Sequence, residues 1–290
     1  MIDNKSVFLI RAILFMIVGG FSMVLMQASV KVLSDSLHPF VITLFRALLV
    51  FIIMLPILVW RGLGAIKTSS VKLQVIRGSV GGVCMLCMFA GFSLVSLPEA
   101  TSLLFTVPIF ATILSVIFLS ERVGIQRWSA VFLGFSGILV IARPDISFNL
   151  GHFFLLSAAI AWSISIIIAK KLTENDTITS ITFWQAMGCV PLALVASLFV
   201  WKTPSFVQLI YLLGIAGLGT LGHALVYASL KLGKVSVLLP LDYIRIIWST
   251  LLGFAIFGSL PTLHTYLGTM LIISSTAFIS YREIDKNKEI

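Results

Sequence analysis

Apolar residues fill this chain in long runs, and polar residues gather in the short gaps between them. Ten runs stand out: 9–30, 39–60, 73–93, 99–119, 127–143, 151–170, 180–201, 206–229, 235–257 and 262–281. A helix of about 20 apolar residues crosses the hydrocarbon core of a bilayer. The pattern therefore predicts an all-α integral membrane protein with ten transmembrane helices. Two runs differ from the rest: 127–143 is short, and 235–257 carries charges inside it. The connections leave no room for a soluble domain, and only the tail REIDKNKEI reads as disordered. The opening MIDNKSVFLIRAILFMIVGG has the flavour of a secretion signal. Its apolar run continues to about Ala28 and further runs follow, so it reads as an uncleaved first span.

Composition supports this class. The 290 residues are 59% hydrophobic and 11% charged, with a mean hydropathy of +1.11. A soluble domain carries about 25% charged residues. The net charge of +9 does not point to nucleic acid, because the basic residues form no stripe and no aromatic platform accompanies them. They sit in the gaps, where they meet anionic lipid headgroups. With the amino terminus placed inside, fifteen Lys and Arg fall on the inner side, from Lys5 and Arg11 to Lys286 and Lys288. The outer loops hold Lys31, Arg143 and Lys202, and Arg46 and Arg245 within spans complete the twenty. That bias predicts cytoplasmic termini at both ends. Cys84 and Cys87 form a CxxC inside the apolar run VCMLCMFAGF, where zinc or redox chemistry lacks its polar surroundings. They and Cys189 read as apolar fillers, with no metal site expected.

The two halves echo each other. VKVLSDSLHPFVITLFRA (30–47) aligns with AKKLTENDTITSITFWQA (169–186), and FSLVSLPEATSLLFTVP (92–108) resembles YASLKLGKVSVLLPLDY (227–243). Each half holds five spans. Five is odd, so the second copy is expected upside down, the inverted repeat common among secondary transporters. The expected units are residues 1–146 and 147–290.

These repeats carry a family resemblance. The stretch EATSLLFTVPIFATILSVIFLSERVGIQRWSAVFLGFSGILVIARP (99–144) resembles the end of the first repeat in EamA-type members of the drug/metabolite transporter superfamily. PLDYIRIIWSTLLGFAIFGSLPTLHTYLGTMLIISSTAFISYRE (240–283) repeats it. Glu121 holds the family's usual acidic place, whereas the second copy has Ser259 there. Among relatives the chain is most similar to bacterial carriers of metabolites such as S-adenosylmethionine, riboflavin or amino acids. The resemblance implies a location in the bacterial inner membrane. It also implies a cavity ringed by spans one, three, four, six, eight and nine.

Within LPLDYIRIIWS (239–249), Asp242 and Arg245 lie three residues apart, with Ser249 one turn further on. On a helix these share a face. A charge at a span centre costs about 2.5–3.5 kcal/mol, so this face should avoid lipid. It is either an internal ion pair that fixes packing or a charged cavity wall; the wall is favoured. Tyr243, Trp162 and Gln27 are secondary candidates for substrate contact, since an aromatic wall suits a flat or cationic ligand. Arg46 fits packing or snorkelling at least as well as substrate contact, and its repeat mate is Gln185. Glu99, after Pro98, reads as a first-turn acid facing the helix dipole. Gly78 and Gly82 in span three, and Gly219 and Gly222 in span eight, should let helices approach closely or bend during gating.

No GxxxxGK[ST], HExxH or GxSxG occurs, so no nucleotide-driven, metalloprotease or serine-hydrolase chemistry is indicated. The reading is a secondary transporter of a small polar or amphipathic metabolite, amino-acid-like or S-adenosylmethionine-like, without cofactor. It would meet its substrate and membrane lipids, and act as a monomer or homodimer. The alternatives are a non-transporting receptor or assembly subunit, an exporter of drugs or metabolites with broad specificity, and a lipid-directed membrane enzyme.

Overall fold

The computed structural model describes residues 4–107, 109–111, 113–114, 125–142, 149–172, 175–232 and 243–286. These residues form ten α-helices and one 3₁₀ turn, Leu63–Ile66. In chain order the helices are α1 (Asn4–Ser34), α2 (Pro39–Arg61), α3 (Val71–Leu94), α4 (Leu97–Leu104) and α5 (Ile125–Ala142). They continue with α6 (Leu150–Leu172), α7 (Ile178–Leu198), α8 (Phe206–Leu232), α9 (Arg245–Phe257) and α10 (Leu263–Lys286). Among the described residues, six segments are long and apolar enough to cross a membrane: Ile10–Ser34, Pro39–Arg61, Val71–Leu94, Leu150–Ala169, Ile178–Leu198 and Phe206–Val226. Leu97–Ala111, Val131–Ile141 and Arg245–Phe257 are shorter apolar helices. The fold is thus an all-helical, multi-pass membrane fold. The predicted runs and the helices agree closely for α2, α3 and α6. The run 235–257 is helical from Arg245 onward, and Asp242 lies outside the described residues.

Helix ends follow local chemistry. His38 caps α2 by accepting the Phe40 N–H at 3.3 Å, with Pro39 at the first helical position. Ser70 and Thr177 cap α3 and α7 through their hydroxyls. Gly258 ends α9 at φ +64°, a left-handed conformation that suits glycine.

The helices pack mainly across the two halves. α1 lies on α8 and α3 on α6; α2 meets α7 and α8, while α3 also meets α7. α4 contacts α6, α9 contacts α1, and α5 lies on α10. Exchanging α1–α5 with α6–α10 turns this set of pairs into itself. The largest core cluster draws from both halves, including Phe89, Phe92, Leu155 and Ile272. Large apolar side chains also cover the outside: Val59 is 83% exposed, Trp60 82% and Phe199 85%. In water that surface would drive aggregation; in a bilayer it is the lipid face, with Trp at the span ends where aromatic belts sit.

Small residues set the crossings. A Cβ on Gly78 would sit 2.6 Å from the Trp184 carbonyl and 3.0 Å from Gly188 Cα. At Gly82 it would lie 3.0 Å from Cys189 Cα, so α3 and α7 touch backbone to backbone. Gly222 meets Met23 and the Gly19 carbonyl on α1. Gly214 and Gly217 face open space.

One junction between the halves is bound by polar contacts. The buried Asp176 carboxylate, before α7, accepts from Thr68 Oγ1 at 2.5 Å, the Ser69 N–H at 2.7 Å and Gln74 Nε2 at 2.7 Å. Thr177, Ser180 and Trp184 add bonds to carbonyls of the 3₁₀ turn. The junction related by exchange of the halves is exposed: Lys202 Nζ donates to the Ser36 carbonyl and Gln208 Nε2 to its hydroxyl.

Candidate functional site

Where α2, α3, α7 and α8 converge, a cavity of about 30 Å³ opens between the halves. Its lining includes Arg46, Met85, Thr182, Gln185, Cys189, Thr220 and His223. The wall is mostly apolar, with polar side chains of Arg46, Thr182, Gln185, Thr220 and His223 set into it. About 10–15 Å³ holds one water, so the cavity in this state admits about two. A metabolite enters only if the helices part.

Arg46 is 7% exposed and lies in the second turn of α2. Its Nη1 donates to the thioether Sδ of Met85 at 3.0 Å, and its buried Nε has no hydrogen-bond partner. A Cβ on Gly219 of α8 would stand 2.8 Å from Nη2 and 3.1 Å from Nε, so any side chain there would displace the guanidinium. Gln185, the repeat mate of Arg46, lines the same cavity from α7. Its Oε1 accepts from Arg77 Nη2 at 3.0 Å, and Arg77 Nη1 reaches the Ile181 carbonyl at 3.1 Å. Arg77 is 1% exposed and ties α3 to α7.

His223 Nδ1 lies 2.7 Å from the Gly219 carbonyl. A carbonyl only accepts, so Nδ1 carries a proton and donates it there. Arg46, Arg77 and Arg245 all lie within electrostatic reach of this ring. Trp162, half-buried on α6, places its ring 5.5 Å from that of His223. It therefore stands behind the cavity wall.

The other sequence candidates fall elsewhere. Tyr243 packs its ring edge-on against Phe105 at 5.1 Å. Arg245 opens α9 half-buried, and the Ser249 hydroxyl donates to the Ile246 carbonyl at 3.0 Å. None of these three lines the Arg46 cavity; α9 packs against α1 and α4. Gln27 is 2% exposed on α1, with its Oε1 lacking a hydrogen bond. Glu99 follows Pro98 in the first turn of α4 and pairs with His152 Nε2 of α6 at 2.9 Å. The sequence reading saw only the helix dipole there. Thr220 and Thr182 carry no sequence signal, because single polar residues in apolar runs show no spacing, whereas isolated His223 reads as a buried hydrogen-bonder and is one.

Comparison with known proteins places this geometry in context. The model of the EamA-like transporter family matches residues 10–143 and again 149–281. An S-adenosylmethionine uptake transporter of Rickettsia bellii is 29% identical over 272 residues, covering 92% of this chain and 94% of that protein. A riboflavin transporter of Vibrio cholerae is 31% identical over 194 residues, covering 66% of this chain and 64% of that one. A solved structure described as "Crystal structure of protein" superposes with a TM-score of 0.61 at 16% identity, over 91% of this chain and 96% of that chain. That likeness concerns the fold alone.

Proposed function

The chain belongs to the EamA-like transporter family, and from that premise we propose that it is a secondary active transporter for a small polar metabolite, working by alternating access. It is a membrane transporter of the drug/metabolite superfamily and not an enzyme. The substrate class proposed is amino-acid-like or S-adenosylmethionine-like, in keeping with the named relatives. The observation that carries the reading is the cavity between helices of both halves, with Arg46, Gln185 and His223 in its wall. In an inverted-repeat carrier the substrate sits at such an interface near the midplane. The exchange-symmetric helix pairing supports ten spans built as two inverted five-helix repeats, 1–146 and 147–290. The loop charges support cytoplasmic termini in a bacterial inner membrane.

Asp242, Arg245 and the aromatic Tyr243 are proposed to bind substrate. The test is uptake of labelled S-adenosylmethionine into proteoliposomes, with riboflavin as the second cargo. Asp242→Asn and Arg245→Ala should each abolish uptake while the protein still reaches the membrane. The swapped double mutant, Asp242→Arg with Arg245→Asp, separates two roles. If the pair meets substrate, the swap inserts but stays inactive. Uptake by the swap near the parent rate would reduce the pair to a packing device.

A further inference from the structure

We propose that Arg46 is the receptor for a carboxylate on the transported solute, bound in the cavity between α2, α3, α7 and α8. The inference rests on the transporter reading and narrows its substrate class.

The first ground is the state of the guanidinium. Arg46 is 7% exposed, and its only hydrogen bond among the described residues goes to the Met85 sulfur. A thioether is a weak acceptor and carries no countercharge. No described carboxylate reaches it: Glu99 is held by His152, and Asp176 by Thr68, Ser69 and Gln74. Proteins rarely bury a full cation without an anion or strong acceptors. Arg77, one helix away, is also buried; its Nε likewise has no partner among the described residues, but its Nη1 and Nη2 meet a carbonyl and an amide oxygen. Among the described residues, oxygen acceptors meet the requirement at Arg77 and none meets it at Arg46.

The second ground is the cavity. Arg46 lines it, together with Thr182, Thr220, Gln185 and His223. The buried Thr220 hydroxyl also lacks a hydrogen-bond partner among the described residues and stands ready to donate. A space for about two waters matches a carboxylate rather than a whole metabolite. A planar guanidinium fork suits two coplanar oxygens, and charge-assisted bonds of this kind are the strong ones. The remainder of the solute would extend toward the Trp162 side as the helices part.

This reading separates the two named cargoes of the relatives. S-adenosylmethionine carries a carboxylate, and riboflavin carries none.

The test uses the full-length protein in proteoliposomes. Wild type, Arg46→Met and Arg46→Lys are exposed to a ¹³C-labelled bacterial metabolite extract supplemented with S-adenosylmethionine and riboflavin. The lumen is then read by mass spectrometry. Wild type should accumulate carboxylate-bearing solutes and exclude riboflavin. Arg46→Met should lower each accumulated solute by about tenfold or more, with Arg46→Lys intermediate. The melting temperature of purified Arg46→Met should fall no more than about 2 °C below wild type. Accumulation by Arg46→Met at the parent level overturns the proposal, as does wild-type accumulation confined to solutes without an anionic group. A large fall in the Arg46→Met melting temperature also overturns it, by assigning Arg46 to the fold. A wild-type lumen that stays empty of every solute removes the transporter reading itself, and the site with it.

Discussion

Arg46 and Arg77 are both arginines buried in apolar helices, and both point at the seam between the halves, yet they are employed differently. Arg77 spans from α3 to α7 and satisfies an Ile181 carbonyl and the Gln185 amide oxygen. Arg46 reaches across to α3 and finds sulfur. Burial alone therefore does not mark a functional cation; the acceptors around it do. A guanidinium with oxygen partners from another helix holds the fold. One facing a cavity with a thioether is available to cargo.

Breaking the structural member of this pair should have the largest effect. Arg77→Met removes two bonds to α7; the Ile181 carbonyl keeps its intrahelical bond, and the part-buried Gln185 amide oxygen loses its donor. Charge-assisted bonds contribute about 1.5–3 kcal/mol each, so a loss on the order of 3 kcal/mol is expected. Thermal unfolding in detergent checks this, and a melting temperature equal to wild type would deny Arg77 its structural role. Arg46→Met forms the opposite pole, with near-normal stability and lost uptake.

A smaller effect is expected at the Asp176 junction. Burial raises the Asp176 carboxyl pKa, but the bonds from Thr68, Ser69 and Gln74 outweigh it and hold the group below the usual carboxylate range. A depressed folded pKa contributes stability above the unfolded value, about 3.9 for Asp. That contribution is lost as pH falls through the lower folded value. Asp176→Asn should therefore cost about 1–2 kcal/mol at neutral pH. The gap between variant and wild type should stay constant from pH 7 to 5 and close below about pH 4. A gap that already closes at pH 6 would mean another group governs the junction.

These contrasts show which features the chain advertises before it folds. Span positions were legible because apolar runs are long and the gaps are charged: 39–60 became α2 and 73–93 became α3. Arg46 was visible as a charge in a span, and Gln185 as its mate. Their meeting in one cavity was not, because it depends on how α2 and α7 cross. Asp176 gave no signal either, since its donors lie more than 100 residues earlier. Glu99 was read from its local position, and its real partner is His152, 53 residues on. Local capping and hydropathy are encoded in neighbouring residues, whereas polar partnerships are decided by tertiary contact.

The central claim is that this cavity is the transport path and opens to water in turn with the cycle. Cys189 lines it and is 1% exposed in the closed arrangement. With Cys84 and Cys87 replaced by alanine, Cys189 is the one thiol left in the chain. The direct measurement is the rate at which a small water-soluble methanethiosulfonate labels it in proteoliposomes, with and without transported solute. The account predicts steady labelling of the folded protein, slowed by saturating solute. Labelling that occurs only after denaturation would contradict it.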